Sequence, residues 1–471
     1  MIVHDTTLTT KEVLRSRATL VGGLLLAVFS LGLMWILLPR IGVRDSDAHA
    51  YIVGAYSLQS GNGYVTLDGT KINQWWPPGY SLLLSLFSQP LVASMVINYL
   101  AFGGAITLLY LIAVFRDWDR RIAISAALAI GFGFFRQIGS SAKPDILVYS
   151  VFLLALYIYL GGGRTRSTIS FLLWSLLIPF KLVAVVFTPA AMVADLLTAG
   201  KELRHSRRYW TQFVAVGFVW LASIGGLFLY NYSTLGSVMA AHGRNDFNRF
   251  TGEVVQFIVS VPRLLLANWY GSILVPWVSV LFFLLLAVGL ACLASLRRVP
   301  HARFFLIFGT LIFVLIWSLQ IVSTFDADVR IMGYSLIVLL FAFRPTSTAW
   351  KRWGIYALMT VCMAVLNLSL VNTYGINDPR YQTMSYDLLE EGLPEGKIYT
   401  NSFHLLDVHV RVLTHPIEDL SQLENGVTLL WVELPRYDAI ASVVWPMERP
   451  GPDWCEIREV EGAILFQKCQ P

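Results

Sequence analysis

The stretch "ATLVGGLLLAVFSLGLMWILLP", residues 18–39, sets the class of this chain. It carries no charged side chain, and a run of roughly 20 apolar residues is long enough to cross the hydrocarbon core of a membrane as a helix. Lys11, Arg15 and Arg17 precede the run, and no small-residue cleavage site follows it. We therefore expect a retained first helix whose N-terminus lies in the cytoplasm.

The composition of the whole chain extends this expectation. Hydrophobic residues make up 56% and charged residues 14% of the sequence, and the mean hydropathy is +0.61, values outside the range of soluble domains. The sequence predicts a polytopic α-helical membrane protein with about eleven transmembrane helices. The predicted spans are residues 18–39, 91–115, 122–136, 145–161, 168–180, 182–199, 211–232, 271–296, 303–322, 331–343 and 353–372.

The distribution of charge gives the orientation. A net charge of +5 could suit a nucleic-acid partner, but the basic residues lie in short clusters between apolar runs, as orientation signals do. We therefore expect no nucleic-acid partner and place those clusters in the cytoplasm. The longer connectors, residues 41–78, 136–145, 233–270 and 323–330, are then expected on the outer face.

The segment from residue 373 to 471 differs from the predicted transmembrane domain, residues 1–372. Its runs "KIYTNSF" and "VTLLWVEL" are typical of strands and alternate with Gly and Pro, which predicts a small extracytoplasmic α/β domain. A hairpin turning at residues 461 and 462 would bring Cys455 and Cys469 together, and an oxidising compartment would allow a disulfide. The sequence leaves both a disulfide and two free thiols open.

Acidic residues follow the first helix at once. The stretch "SDAHAYIVGAYSL" predicts a helix on which Asp47 lies one turn before Tyr51, while Asp45 lies one turn before His49. We expect this helix, in the loop of residues 40–90, to lie on the membrane surface with Tyr51 on its apolar side. Capping at the start of this helix would explain the presence of one acid, but it explains the presence of both Asp45 and Asp47 less well.

Two further features stand out in the apolar sequence. In "INQWWPPGYSLLLSLF", Trp75 and Trp76 are expected to anchor the chain at the membrane interface, and the Pro pair is expected to start a helix. Lys181 lies inside "LLIPFKLVAVVFTP", where an ammonium is unfavourable unless it reaches the interface, pairs with an acid or faces a ligand.

Together these elements resemble the first outer loop of GT-C glycosyltransferases, especially the branch of bacterial aminoarabinose transferases and protein O-mannosyltransferases. The matching positions are Asp47, Tyr51, Ala55, Leu58, Gly61 and the "PPGY" ending at Tyr80. The later stretches "KPDILVYSVFLLAL", "LLIPFKLVAVVFTP", "DADVRIMGYSLIVLL" and "EGKIYTNSFHLLDVHVRVLTHP" are similar to later parts of the family, so the resemblance covers the whole chain.

The resemblance implies an inverting glycosyltransferase of the bacterial cytoplasmic membrane. It would move a sugar from an undecaprenyl-phosphate-like donor to a glycolipid, polysaccharide or protein acceptor on the outer face. Asp47 would accept the acceptor's proton or orient it, with Asp45 as its partner. The supporting residues would be Asp145, His49, Tyr51, Tyr80 and Asp328. Aminoarabinose transferases have a lysine just before the Pro pair, where this chain has Trp76, so the resemblance does not imply aminoarabinose as the sugar.

The chemistry of that reaction also needs cations. The leaving polyprenyl phosphate gains negative charge, which fixed cations near the headgroup level would stabilise. The candidates are Arg330, Lys181, Lys143, Arg244 and His242. Asp45 and Asp47 could hold a divalent cation, Mg²⁺ or Mn²⁺, but a D-x-D pair is a weak signal, so no cofactor is expected as a requirement.

Two other classes of protein remain as alternatives. In a secondary transporter or flippase, Lys181 and Asp145 would line a buried path, but the sequence shows no internal repeat. In a membrane scaffold that displays the C-terminal domain, the charges of the outer loops would have no role. The sequence favours the transferase over both.

Overall fold

The computed structural model describes a large part of the chain. The described residues are 10–37, 46–65, 72, 76–139, 141–198, 206–235, 301–322, 329–342, 387–388, 390, 392–394, 397–401, 414–416, 420, 423, 426–432, 449–460 and 463–469. They contain α-helices up to residue 340 and β-strands from residue 398 onward.

The α-helices, in chain order, are α1 Thr10–Leu37, α2 Ser46–Gln59, α3 Gly79–Ser85, α4 Pro90–Phe115, α5 Arg120–Ile130, α6 Arg136–Gly139, α7 Asp145–Leu160, α8 Arg164–Leu176, α9 Phe187–Thr198, α10 Arg207–Leu235, α11 Ala302–Val322 and α12 Val329–Leu340. A π-helical turn, Gly131–Phe135, joins α5 to α6, and a 3₁₀-helix, Leu182–Val186, precedes α9.

The chain divides into two compact units. The first unit comprises Met1–Gly32, Leu100–Ile138 and Pro144–Ser369, and the second comprises Leu33–Tyr99, Gly139–Lys143 and Leu370–Pro471. The predicted domain boundary at residues 372 and 373 lies outside the described residues and stays a prediction.

Among the described helices, two are long and apolar enough to cross a membrane, judged by length and composition: Pro90–Phe115 and Arg207–Ser233. Helix α10 exposes large apolar side chains, including Val214 at 69% and Phe218 at 72% of their surface. The predicted spans at residues 271–296 and 353–372 lie outside the described residues. The expected total of about eleven spans therefore stays a prediction.

Helix α2 forms where the sequence predicts it, but its burial differs from the expectation. Residues 50–57 are all buried, whereas Asp47 and His49 near the start of the helix are half-buried. The expectation of a single apolar side is therefore wrong, while the position of this helix on the membrane surface stays a prediction. The physical reason is close packing against α3, where the Ser81 hydroxyl donates to the Tyr51 carbonyl at 2.8 Å.

Aromatic rings form the core of the first unit. Phe152 of α7 is fully buried and lies at its centre, with ring centroids 4.8 Å from Phe187, 5.2 Å from Tyr334, 5.9 Å from Trp174 and 6.1 Å from Phe308. These rings come from α7, α8, α9, α11 and α12. Their burial fixes the helix that carries Asp145.

A five-stranded sheet follows in the second unit. Its strands are β1 Ile398–Thr400, β2 Thr414–Pro416, β3 Thr428–Val432, β4 Trp454–Val460 and β5 Ala463–Lys468, in the spatial order β2-β1-β3-β5-β4. Strand β1 pairs in parallel with β2 and β3, whereas β5 pairs antiparallel with β3 and β4. Leu429, Trp454, Ile464 and Phe466 form its core with Leu423.

The hairpin of β4 and β5 carries a disulfide. Val460 and Ala463 are register partners, and the predicted turn residues 461 and 462 lie outside the described residues. Cys455 on β4 is bonded to Cys469, which directly follows β5, with a distance of 5.3 Å between their Cα atoms. The bond closes the open end of this hairpin.

Candidate active site

Asp47 lies in the first turn of α2 and meets two donors within the second unit. The Trp76 indole Nε1 donates to its Oδ1 at 2.9 Å, and the Lys143 Nζ lies 3.8 Å from its Oδ2. The side chain of Lys143 is only 5% exposed, whereas that of Asp47 is 33% exposed. The arrangement holds a carboxylate in a fixed orientation while one side of it remains accessible.

The indole of Trp76 is held in turn by the chain around it. The Tyr64 hydroxyl donates to the Trp76 carbonyl at 2.9 Å. The Tyr64 ring packs so closely on α2 at Gly54 that a Cβ added there would overlap with it. Gly54 is therefore needed because the ring occupies the space of a side chain.

Tyr51 and Tyr80 extend the same contact between α2 and the "WPPGY" segment. Their rings form an edge-to-face pair with centroids 5.6 Å apart, and both side chains are buried. Asp47 and Tyr51, one turn apart on α2, thus meet Trp76 and Tyr80, which flank the Pro pair. Of the motif residues that carry the resemblance, Tyr51 and Tyr80 are in direct contact, and Asp47 contacts the residue just before the Pro pair.

A second ion pair lies in the first unit. Lys181 Nζ is 2.5 Å from Asp145 Oδ1; the Asp145 side chain is 1% exposed and that of Lys181 is 16% exposed. Asp145 is the first residue of α7, and Lys181 lies in extended backbone just before the 3₁₀-helix. Of the alternatives for Lys181, the structure has the paired ammonium.

Stacked tyrosines lie on the same helix as Asp145. Tyr149, one turn further along α7, stacks on Tyr334 of α12 with centroids 3.7 Å apart and an interplanar angle of 5°. The Tyr334 hydroxyl is buried and has no hydrogen-bond partner within the described part of the chain. Gly333 makes room for this contact, because a Cβ there would overlap with the Tyr149 hydroxyl.

Other predicted site residues are placed only in part or not at all. Arg330 lies in the first turn of α12, and His49 is half-buried on α2. The remaining candidates, Asp45, His242, Arg244 and Asp328, lie outside the described residues. Within the described ranges no cluster of three His, Cys, Asp or Glu side chains could hold a metal ion.

Three contacts were not predicted from the sequence: the bond from Trp76 to Asp47, the bond from Tyr64 to the Trp76 carbonyl, and the bond from the Asn98 amide to the Ser141 carbonyl, two residues before Lys143. Trp76 was expected to anchor the chain at the interface, a role that gives no reason for the bond to Asp47. Asn98 could have been recognised as a candidate from its sequence context. It is a single amide inside the apolar stretch "LVASMVINYLAFGGA", and such polar residues are rare in membrane helices and commonly functional.

Comparison with known proteins adds a likeness in fold. No protein-family model matches the sequence, and no curated protein sequence matches it significantly. The similar solved structures include those of ArnT from Cupriavidus metallidurans in the apo state and bound to undecaprenyl phosphate. Both are 12% identical over 95% of this chain and 98% of theirs, with TM-scores of 0.45 and 0.44. At these values the likeness carries no argument about activity.

Proposed function

We propose that this chain is an integral-membrane inverting glycosyltransferase. It moves a sugar from an undecaprenyl-phosphate-like donor to a glycolipid, polysaccharide or protein acceptor on the outer face of the bacterial cytoplasmic membrane. The observation that carries the proposal is the Asp47 carboxylate, oriented by Trp76 and Lys143 directly after the first apolar helix. This is the position at which the resembling family carries its catalytic acid.

In the proposed reaction Asp47 accepts a proton. The acceptor oxygen attacks the anomeric carbon from the side opposite the phosphate, a new carbon–oxygen bond forms, and the bond to the polyprenyl phosphate breaks. The hydroxyl proton passes to the Asp47 carboxylate, and the bonding electron pair leaves with the phosphate. A positioned base typically contributes about 10²–10⁴-fold to the rate of such a step.

Trp76 and Lys143 prepare the carboxylate for this role. The indole N–H fixes Oδ1, and the Lys143 ammonium lies 3.8 Å from Oδ2, so each carboxylate oxygen has a neighbouring donor that orients it. A carboxylate oxygen can accept more than one hydrogen bond, so the indole does not by itself exclude an acceptor hydroxyl. Asp47 is also the more exposed partner of the ion pair, which suits access by substrate.

Cations for the leaving phosphate are the next part of the proposal. Lys143 lies beside Asp47, and Lys181 would have to exchange its contact with Asp145 for the phosphate oxygens. Arg330, Arg244 and His242 are further candidates at the outer face. Such groups stabilise the transition state because they are in place before charge develops.

The proposed location in a membrane is supported by the composition of the chain and by two of its helices. Helices α4 and α10 are long and apolar enough to cross a bilayer, and α10 exposes several large apolar side chains, among them Val214, Phe218 and Leu229. We propose that the N-terminus is cytoplasmic and that the sheet of residues 398–468 is extracytoplasmic. The Cys455–Cys469 disulfide supports this side, since disulfides persist in oxidising compartments.

The experiment is turnover by the purified protein in detergent, with a panel of polyprenyl-phosphate sugars and candidate acceptors, following the release of polyprenyl phosphate. Asp47→Asn keeps the shape of the side chain and removes its basicity, and we expect it to lower kcat by about 10²–10⁴-fold. Asp195→Asn is the matched control, because Asp195 is also held by two donors, the hydroxyls of Tyr159 and Tyr209.

The results separate the proposed function from its alternative. Release by the wild type and by Asp195→Asn, but not by Asp47→Asn, supports the transferase. No release with any donor and acceptor, with Mg²⁺ or Mn²⁺ present or absent, contradicts it. The buried Asp145–Lys181 pair is the observation that favours a transporter, and flux into vesicles that is lost with Asp145→Asn would support that function instead.

A further inference from the structure

Asn98 is a fully buried amide in the third turn of α4, an apolar helix of 26 residues. A buried amide is unfavourable in such a helix unless its polar atoms are hydrogen-bonded. Both of its ends have partners within the second unit. The Tyr80 hydroxyl donates to its Oδ1 at 3.2 Å, and its Nδ2 donates to the Ser141 carbonyl at 2.6 Å.

The Ser141 carbonyl is the point at which this amide meets the site. It also accepts the backbone N–H of Lys143 at 2.8 Å. One carbonyl oxygen has two lone pairs, and here each has a donor. The amide nitrogen of Asn98 lies in addition 3.5 Å from the Gly139 carbonyl. Asn98 therefore ties the short segment Gly139–Lys143 to α4.

The position of the Lys143 ammonium depends on that segment. A lysine side chain has four rotatable bonds, so its charge is placed only if the backbone that carries it is fixed. Beyond residue 139 the described residues of the segment, 141–143, form neither an α-helix nor a strand, and Ser141 makes a single β-bridge. Lys143 is nevertheless buried, with its ammonium 3.8 Å from the Asp47 carboxylate.

We propose that Asn98 is a positioning residue for the glycosyl transfer and acts through Lys143. By holding the Ser141 carbonyl it fixes the backbone of Lys143, and so the position of the ammonium that lies beside the Asp47 carboxylate and orients it. This role rests on the proposed function only where activity is concerned. The placement of Lys143 by Asn98 can be measured without turnover.

The first measurement is the reactivity of Lys143 in the purified full-length protein. An amine-acylating reagent is added, and labelling at each lysine is followed by peptide mass spectrometry. Asn98→Leu removes both polar ends of the amide in a helix that tolerates apolar residues. We expect it to raise the labelling rate of Lys143 by about tenfold, from the loss of a buried hydrogen bond. The exposed Lys397 is the internal reference and should not change.

Two other variants make this measurement specific. Asn98→Asp keeps the shape and the acceptor but has no N–H for the Ser141 carbonyl, so it should raise Lys143 labelling even if Asn98→Leu does not fold. Ser94→Ala is the matched control, because Ser94 is equally buried one turn earlier on α4 and donates only to the carbonyl of Leu91. It should leave Lys143 labelling unchanged.

The second measurement is kinetic, with whichever polyprenyl-phosphate sugar the wild type turns over. Asn98→Leu should lower kcat by about tenfold and leave KM unchanged, because the loss falls on the step in which Asp47 takes the proton. In a Lys143→Met background the same change should have no further effect on kcat. A merely structural role would reduce activity in both backgrounds.

The two measurements keep the two proposals apart. Unchanged labelling of Lys143 in folded Asn98→Leu and Asn98→Asp overturns the positioning role, whatever the activity. Equal losses of kcat with and without Lys143 overturn it as well. Altered labelling in a protein that turns over no donor overturns the transferase, while the placement of Lys143 by Asn98 stands.

Discussion

Replacing Trp76 by phenylalanine tests the central contact of the site. The change keeps an aromatic ring before the Pro pair and removes the N–H that lies 2.9 Å from Asp47 Oδ1. A hydrogen bond to a charged group contributes about 1.5–3 kcal/mol. Because the Asp47 side chain is 33% exposed, water can replace part of that bond, so the lower end applies. A loss of about 1.4 kcal/mol in the transition state lowers kcat by about tenfold.

The assay is the release of polyprenyl phosphate by purified wild type and Trp76→Phe over a range of donor concentrations. We expect the loss in kcat, with little change in KM, because the indole orients the base and is not expected to contact the donor. Trp220→Phe is the matched control. Its indole also donates over 2.9 Å, but to the backbone carbonyl of Val185, so its loss should leave kcat unchanged.

Two results would refute this reasoning. Wild-type kcat in folded Trp76→Phe would show that the indole does not orient the base. A rise in KM with unchanged kcat would place Trp76 in substrate binding, at the position where the transferases that this sequence resembles carry a lysine. Thermal unfolding of both variants in detergent distinguishes these results from loss of the fold.

Three further changes have defined outcomes. Lys181→Met should lower the free energy of unfolding by about 3–5 kcal/mol, because it leaves the buried Asp145 carboxylate without the Lys181 ammonium. The double variant with Asp145→Asn should recover part of that loss in thermal unfolding. No recovery would contradict the pairing. Cys455→Ser or Cys469→Ser removes a disulfide with a sequence separation of 14 and should lower the free energy of unfolding of the sheet by about 3 kcal/mol. The wild type under reducing conditions should unfold at the same temperature as these variants. Gly54→Ala should displace the Tyr64 ring, which supports Trp76, and should therefore lower kcat as Trp76→Phe does. A wild-type kcat in this variant would argue against the support of Trp76 by Tyr64.

Local features of the site could be predicted from the sequence. The pattern of "SDAHAYIVGAYSL" predicts the helix that the structure has at Ser46–Gln59, and the Pro pair predicts a helix start that falls at Gly79. The runs around residues 398 and 428 predict strands that the structure also has. Each of these signals lies within a few residues of the element that it predicts.

The contacts of the site could not be predicted in the same way. Trp76 and Asp47 are 29 residues apart, Lys181 and Asp145 are 36 apart, and Asn98 lies 43 residues from the Ser141 carbonyl. Periodicity determines which face of a helix is apolar, but not which other helix covers that face. The same limit explains why α2 was expected to lie with one side exposed.

The order of strands in the sheet has a consequence for how the protein is made. Strand β5 is synthesised after the other four, yet it lies between β3 and β4. A nascent chain that has reached β4 therefore has two strands with open edges facing a gap, and such edges invite pairing with other chains. The disulfide must also wait, because Cys469 follows β5. Completion of the sheet is thus a late event in biosynthesis, and chains stalled before residue 463 should be substrates for quality control.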